Sequence, residues 1–214
     1  MTRVLSTAVR APNCCGWVCR ETPSDGTPGA GKGTQAVRLA ERLGVPAIST
    51  GDIFRANVAA LTGLGREAKR YIDVGDYVPD RVTNDMVRDR LAQSDARHGW
   101  LLDGYPRTPS QVNELDTFCR ACGQMLDLAI VLGVPEPELV RRLLERASSE
   151  GRADDTDAVI SHRQQVFREQ TEPLKEIYHA RGILKIVDGR GDVADVTARC
   201  LLAAGRDRHG VPTT

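Results

Sequence analysis

The chemistry of this chain is concentrated in Gly26-Thr27-Pro28-Gly29-Ala30-Gly31-Lys32-Gly33-Thr34, which fits GxxxxGK with Gly33-Thr34 where a lone Ser or Thr usually follows. Closely spaced glycines let a backbone curl with φ > 0 and aim successive N–H groups at an anion. A helix starting near Lys32 adds the positive end of its dipole. Gly29, Ala30, Gly31 and Gly33 would then cradle phosphate, Lys32 would reach the β and γ phosphates of a nucleoside triphosphate, and Thr34 would sit near phosphate or hydrated magnesium. A Gly-rich loop before a helix fits these residues alone equally well, so the decision falls to residues downstream. Asp103 follows the apolar run Trp100-Leu101-Leu102. An acid at the end of a buried strand, beside a phosphate loop, is placed to hold magnesium through water. Arg142 and Arg146 share one helix face at i and i+4, and Arg152 and Arg163 follow. Their guanidinium forks suit phosphate, although solvated arginines look the same.

Elements must position these groups. Ala36, Val37, Leu39, Ala40 and Leu43 form one apolar helical face closed by Gly44. Residues 45–50 read as a short strand, 52–61 as a helix closed near Gly63, and 68–74 as another ending at Gly75. Asp80 reads as the cap of a helix reaching Leu91. Residues 100–104 form a buried strand, Pro109 opens a helix to Cys122, and 126–134 is the longest apolar strand. An Arg-rich helix follows from 135 to 146, then a polar connector, 147–155, and one long amphipathic helix to His179. A strand at 183–187 and a helix at 193–204 complete the pattern. Strands alternating with helices imply an α/β fold with a doubly wound parallel sheet. The exception lies in residues 1–25, because Arg20-Glu21-Thr22-Pro23-Ser24-Asp25 occupies the place of the apolar strand that should enter the glycine loop. Either Val4-Leu5 begins that strand and an insertion follows, or Gly16-Trp17-Val18-Cys19 substitutes for it.

Composition narrows the function classes. With 41% hydrophobic and 27% charged residues the chain is ordinary for one globular domain. Its 29 basic residues balance 29 acidic ones, which removes any bulk electrostatic case for nucleic acid or an anionic membrane. No apolar run approaches a membrane span or a secretory h-region, so a cytoplasmic protein is expected. Cys119 and Cys122 form CxxC inside a helical pattern without a second pair, and structural thiols fit better than zinc.

The chain resembles adenylate kinases, members of the nucleoside monophosphate kinase family, from Gly26 to about Ala204. GTPGAGKGTQ at 26–35 carries the family's Gly-Thr variant. Ile48-Ser49-Thr50-Gly51-Asp52-Ile53-Phe54-Arg55, Asp103-Gly104-Tyr105-Pro106-Arg107-Thr108 with Gln111, and the arginine set follow in family order. The resemblance implies a P-loop kinase with a five-stranded parallel sheet, an AMP-binding insertion at 49–78 and a short lid at 147–155, all within one kinase domain from 26 to 214. It assigns Thr50 to adenine, Arg55 to the AMP α-phosphate, and Asp76, Tyr77 and Val78 to the AMP base. Gly104, Tyr105, Pro106 and Arg107 fall to AMP, with Arg107 as the clamp on its phosphate, and Gln111 to an adenine edge. Arg142, Arg146 and the main chain at Gly191 fall to ATP, Arg152 and Arg163 to phosphates at the transfer point. Without the resemblance, Thr50 reads as a helix cap and Arg55 as a solvated residue.

The reaction implied is Mg2+-dependent ATP + AMP ⇌ 2 ADP, with ATP, AMP and ADP as small-molecule partners and a monomer expected. Lys32, Arg107, Arg146, Arg152 and Arg163 carry the catalysis. The connector is too short for a zinc ribbon and lacks cysteine and histidine, so no structural zinc is expected. A kinase for CMP or UMP, or a nucleotide-binding protein disabled by its first strand, are the alternatives.

Overall fold

The computed structural model describes residues 15–21, 31–135, 138, 139, 141, 142 and 157–206, with backbone alone at 15–21, 157, 158, 160 and 163. Its elements are β1 (Cys15–Glu21), α1 (Lys32–Leu43), β2 (Ala47–Ser49), α2 (Thr50–Ala59), α3 (Gly63–Ile72), α4 (Asp80–Leu91), β3 (Gly99–Asp103), α5 (Pro109–Ala121) and β4 (Met125–Gly133). After the helical residues 138–139 and 141–142 come α6 (Asp157–Val166), a π-helical turn (Phe167–Thr171), α7 (Leu174–Ala180), β5 (Leu184–Asp188) and α8 (Val193–Ala203).

All strand pairings are parallel, in the order β2-β3-β1-β4-β5. Alternate residues of β3 and β4 feed opposite faces, as the two-residue strand period requires. Leu101, Ile130 and Leu132 pack with Ala36 and Leu39 of α1 and Val196 and Leu201 of α8. Trp100 and Leu102 pack instead with Val87 and Leu91 of α4 and Leu115 of α5, while Ala129 meets Val112, Leu174 and Tyr178. A smaller core of Phe54, Ala68, Val78, Val82 and Met86 joins α2 and α3 to α4.

The strand that precedes the glycine loop along the chain is Cys15–Glu21, which contains the second of the two sequence alternatives. It lies between β3 and β4, with a register shift between Gly16 and Trp17. Three local expectations need correction. Asp80 is the first residue of α4, not its cap; Pro79 holds the cap position, and the Asp80 carboxylate is engaged elsewhere. Thr50 likewise begins α2, and Ser49 caps it by accepting from the Asp52 N–H. The expected long helix to His179 is broken, because Pro173 has no N–H to continue the ladder and the chain widens into the π turn before it.

Candidate active site

Phosphate chemistry needs an anion-attracting end, and α1 provides one. Its first turn contains no acid, and its cap, Gly31 (φ 88°), offers no side-chain oxygen to the free N–H groups. The cap itself therefore leaves those donors and the helix dipole to other acceptors, of which an anion is one. The contrast with α5 is direct: there Thr108 accepts from the Gln111 N–H.

Lys32 opens this helix beside Asp103, the last residue of β3. Asp103 is 9% exposed, and its Oδ1 has no hydrogen-bond partner among the described residues. Burial pushes its carboxyl above the usual range, opposed first by Lys32, then by Arg107 and by Arg55. A Cβ built at Gly33 would lie 3.8 Å from Asp103 Oδ2, so the acid faces the start of α1. An orphaned carboxylate oxygen between a lysine and an uncapped helix end fits a hydrated divalent cation bound with phosphate.

On the other side of Asp103, Gly104 (φ +80°) turns the chain. Its carbonyl accepts from Thr50 Oγ1 at 3.1 Å and from Arg107 Nε at 2.7 Å. Arg107 N–H donates to Gln111 Oε1 at 2.6 Å, and its guanidinium stacks 4.8 Å above the Tyr77 ring. The Gln111 amide is buried and also donates to Asp80 Oδ1 at 2.7 Å, while Thr108 Oγ1 donates to Asp80 Oδ2 at 2.7 Å. Thr50 and Gln111 are thus 2% exposed and bonded to the loop around Arg107. Each keeps unused capacity for a further hydrogen bond. Tyr105 is buried and Pro106 follows it through a cis peptide. Arg55 pairs with Asp52, is half exposed, and lies close enough to Asp103 to bear on its charge. Val78 is buried in the small core, and Asp76 Oδ1 meets His162 Nε2 at 2.6 Å.

The side that the resemblance gives to ATP is assembled from separate elements. Arg142 donates from Nε to Glu138 at 2.8 Å and from Nη1 to the Gly189 carbonyl at 3.3 Å. Arg199 reaches the Arg190 carbonyl next to Gly191. Gln35, buried in α1, donates to the Val193 carbonyl at 3.0 Å and accepts from Thr197 Oγ1 at 2.7 Å. The 189–193 loop is therefore tied to the helix that starts at Lys32.

Lys32, Arg55, Asp103 and Arg107 come together, as do Thr50, Gly104, Tyr77 and Gln111 around Arg107. Thr34 lies exposed in the first turn of α1. Gly29, Ala30, Arg146 and Arg152 lie outside the described residues, as does the connector 147–155, and Arg163 is placed by its backbone alone in α6. Asp80, Thr108, Glu138, His162 and Thr171 are contacts that sequence reasoning missed. Only Asp80 carried a signal, and it pointed to a helix cap. Among the described residues no group of histidines, cysteines and acids could hold a metal by itself. Burial pushes the Cys119 thiol up to about 12. No helix among the described residues is long and apolar enough to cross a membrane.

Comparison with known proteins follows the same lines. The adenylate kinase family model matches residues 25–183. A protein of Micrococcus luteus named adenylate kinase is 58% identical over 178 residues, covering 83% of this chain and 87% of that protein. One of Kocuria rhizophila with the same name is 58% identical over 181 residues, 85% of this chain and 96% of its own. One of a Nocardioides species is 59% identical over 178 residues, 83% and 93% of the two chains.

Proposed function

Because the chain belongs to the adenylate kinase family, with its P-loop α/β fold, we propose that its site catalyses reversible phosphoryl transfer, ATP + AMP ⇌ 2 ADP. It is a nucleotide-binding phosphotransferase. The observation that carries the site reading is the meeting of Lys32, Arg55 and Arg107 around the buried Asp103 at the end of β3. Two cations from different elements and one from α1 converge where a phosphoryl group would pass between two nucleotides.

The transferring group spreads negative charge over three oxygens in a loose transition state, so alignment and charge neutralisation do most of the work. Lys32 and the first-turn N–H groups of α1 hold the donor phosphates. Arg107 holds the AMP phosphate, fixed by its bond to the Gly104 carbonyl and its stack on Tyr77. Arg55 joins it from α2. Arg146, Arg152 and Arg163 complete the cationic set in this reading. Asp103 and Thr34 would hold a magnesium ion brought with ATP, which supplies neutralisation of the phosphate oxygens. Segments 49–78 and 147–155 act as the covers that exclude water and so prevent hydrolysis of ATP. Thr50 and Gln111 read the adenine of AMP, and the 189–193 loop meets the adenine of ATP. The working form in this reading is a cytoplasmic monomer, built on a five-stranded sheet.

The test is ADP formation from MgATP and AMP by the purified chain, with CMP and UMP as parallel acceptors. Lys32→Ala lowers transfer by about 10²- to 10³-fold, the scale of one preorganised charge contact. Arg55→Ala raises the KM for AMP and spares ATP binding. Near-normal turnover of Lys32→Ala, or equal use of CMP, would overturn the reading.

A further inference from the structure

Thr171 was assigned no role by its position in the sequence, yet its hydroxyl touches two residues of the AMP side. It is 5% exposed. Its Oγ1 donates to the Arg107 carbonyl at 2.8 Å and lies 2.9 Å from the Tyr77 hydroxyl. A threonine hydroxyl has one proton, and a carbonyl can only accept. The Thr171 proton is therefore committed to Arg107, and the Tyr77 phenol must be the donor to Thr171. The result is a directed chain from Tyr77 through Thr171 to the main chain of Arg107.

The same tyrosine ring lies under the Arg107 guanidinium, 4.8 Å from it. Arg107 is thus gripped at both ends by the Tyr77–Thr171 pair. Its other polar bonds among the described residues run to Gly104 of its own loop and to Gln111 in the first turn of α5. The hydroxyl of Thr171 is what attaches that loop to the segment after α6. The π turn makes this possible. Glu172 N–H bonds to the Phe167 carbonyl, five residues back, and the extra residue rotates the following side chains by about 100° around the axis. A second tie, His162 to Asp76, joins the neighbouring residue of Tyr77 to α6 one position before Arg163.

We propose that Thr171 is a positioning residue for AMP: its hydroxyl registers Arg107 and Tyr77 against the helix that carries Arg163. The inference rests on the AMP-site reading above. Without the hydroxyl, the Arg107 carbonyl loses its partner and the Tyr77 ring loses its anchor, so the guanidinium no longer waits where the AMP phosphate arrives. Among the described residues, the donor side shares none of these contacts.

The experiment compares Thr171→Val, which removes the hydroxyl at nearly constant volume, with Thr171→Ser, which keeps it, and with Tyr77→Phe, which keeps the ring but not the donor. Steady-state KM and kcat are measured against AMP and against ATP, with ATP affinity from calorimetry and thermal unfolding of each variant. Expected is a rise of about tenfold in the KM for AMP in Thr171→Val, the scale of two lost hydrogen bonds, with ATP affinity within about twofold. Thr171→Ser recovers most of it. The double variant Thr171→Val with Tyr77→Phe is no worse than Thr171→Val alone, because both break one chain. Parallel changes for AMP and ATP, equal losses in Val and Ser variants, or a lowered melting temperature without a change for AMP would overturn the proposal. If Thr171→Val does not fold, Tyr77→Phe decides, and an unchanged KM for AMP sinks the idea. Wild type fixes what has failed: wild-type transfer with an unaffected Thr171→Val rejects this inference alone, whereas no AMP-dependent transfer by folded wild type rejects the site reading with it.

Discussion

Gly104→Ala separates backbone strain from site geometry. Gly104 adopts φ +80°, and a Cβ there would lie 2.8 Å from Thr50 Oγ1 and 2.9 Å from Arg107 Nη2. Gly44 adopts φ +69° with nothing within 4 Å of its own built Cβ. Gly44→Ala therefore reports strain alone, about 1–2 kcal/mol for an L residue in the left-handed region. At Gly104 the same strain applies, and two neighbours must also move. Both are bonded to the Gly104 carbonyl, Thr50 at 3.1 Å and Arg107 at 2.7 Å, so neither can retreat without stretching its bond. A neutral hydrogen bond contributes about 0.5–1.5 kcal/mol net and one to a charged group about 1.5–3. Losing both adds about 2–4 kcal/mol to the strain. With about 2–4 °C per kcal/mol for a chain of this size, Gly44→Ala lowers Tm by a few degrees and Gly104→Ala by about 6–24 °C. Displacing Arg107 also raises the KM for AMP by about tenfold or more, since 1.4 kcal/mol is tenfold. The assays are thermal unfolding of both variants and ADP formation titrated with AMP. Equal melting losses, with AMP dependence unchanged in Gly104→Ala, would refute the reasoning.

Asp103→Asn should trade activity for stability: burial raises the carboxyl, so the folded state holds its proton more tightly and loses stability as pH climbs into the raised range. The variant is expected to melt above wild type at neutral pH but not at acid pH, with transfer down about 10²-fold; a lower melting temperature at pH 7 contradicts this. Gln35→Leu should stay within about 0.5 kcal/mol of wild type in urea unfolding, because the Thr197 hydroxyl proton turns from Gln35 to the Val193 carbonyl, 2.8 Å away, and no buried group is orphaned. A loss above about 2 kcal/mol would show that the Gln35 bonds are indispensable. Arg141 and Arg142 hold the Glu138 carboxyl down at about 2. Its contribution is complete above the ordinary glutamate range and lost as pH falls through about 2. Glu138→Gln, which leaves Arg142 without its charged partner, should raise the KM for ATP by less than about tenfold, and an unchanged KM means that Arg142 needs no such partner.

Local sequence determined the parts whose causes are local. The apolar period of α1, the run of β3 ending in Asp103, and the GK pair opening a helix are legible because side-chain periodicity and backbone freedom act over a few residues. They sufficed for the α/β class and for singling out Lys32 and Asp103, whereas Arg107 and Gln111 are named only through the family resemblance. Tertiary structure decided what depends on residues far apart in the chain. Cys15–Glu21 becomes the central strand because it pairs with β3 and β4, although its last residues read as surface. Asp80 turns from a presumed cap into the partner of Thr108 and Gln111, 28 and 31 residues away. The hydroxyl of Thr171 meets Arg107 across 64 residues. A hydroxyl or carboxylate on a helix satisfies itself with water or with a partner by the same chemistry. Only packing removes the water and so selects the partner.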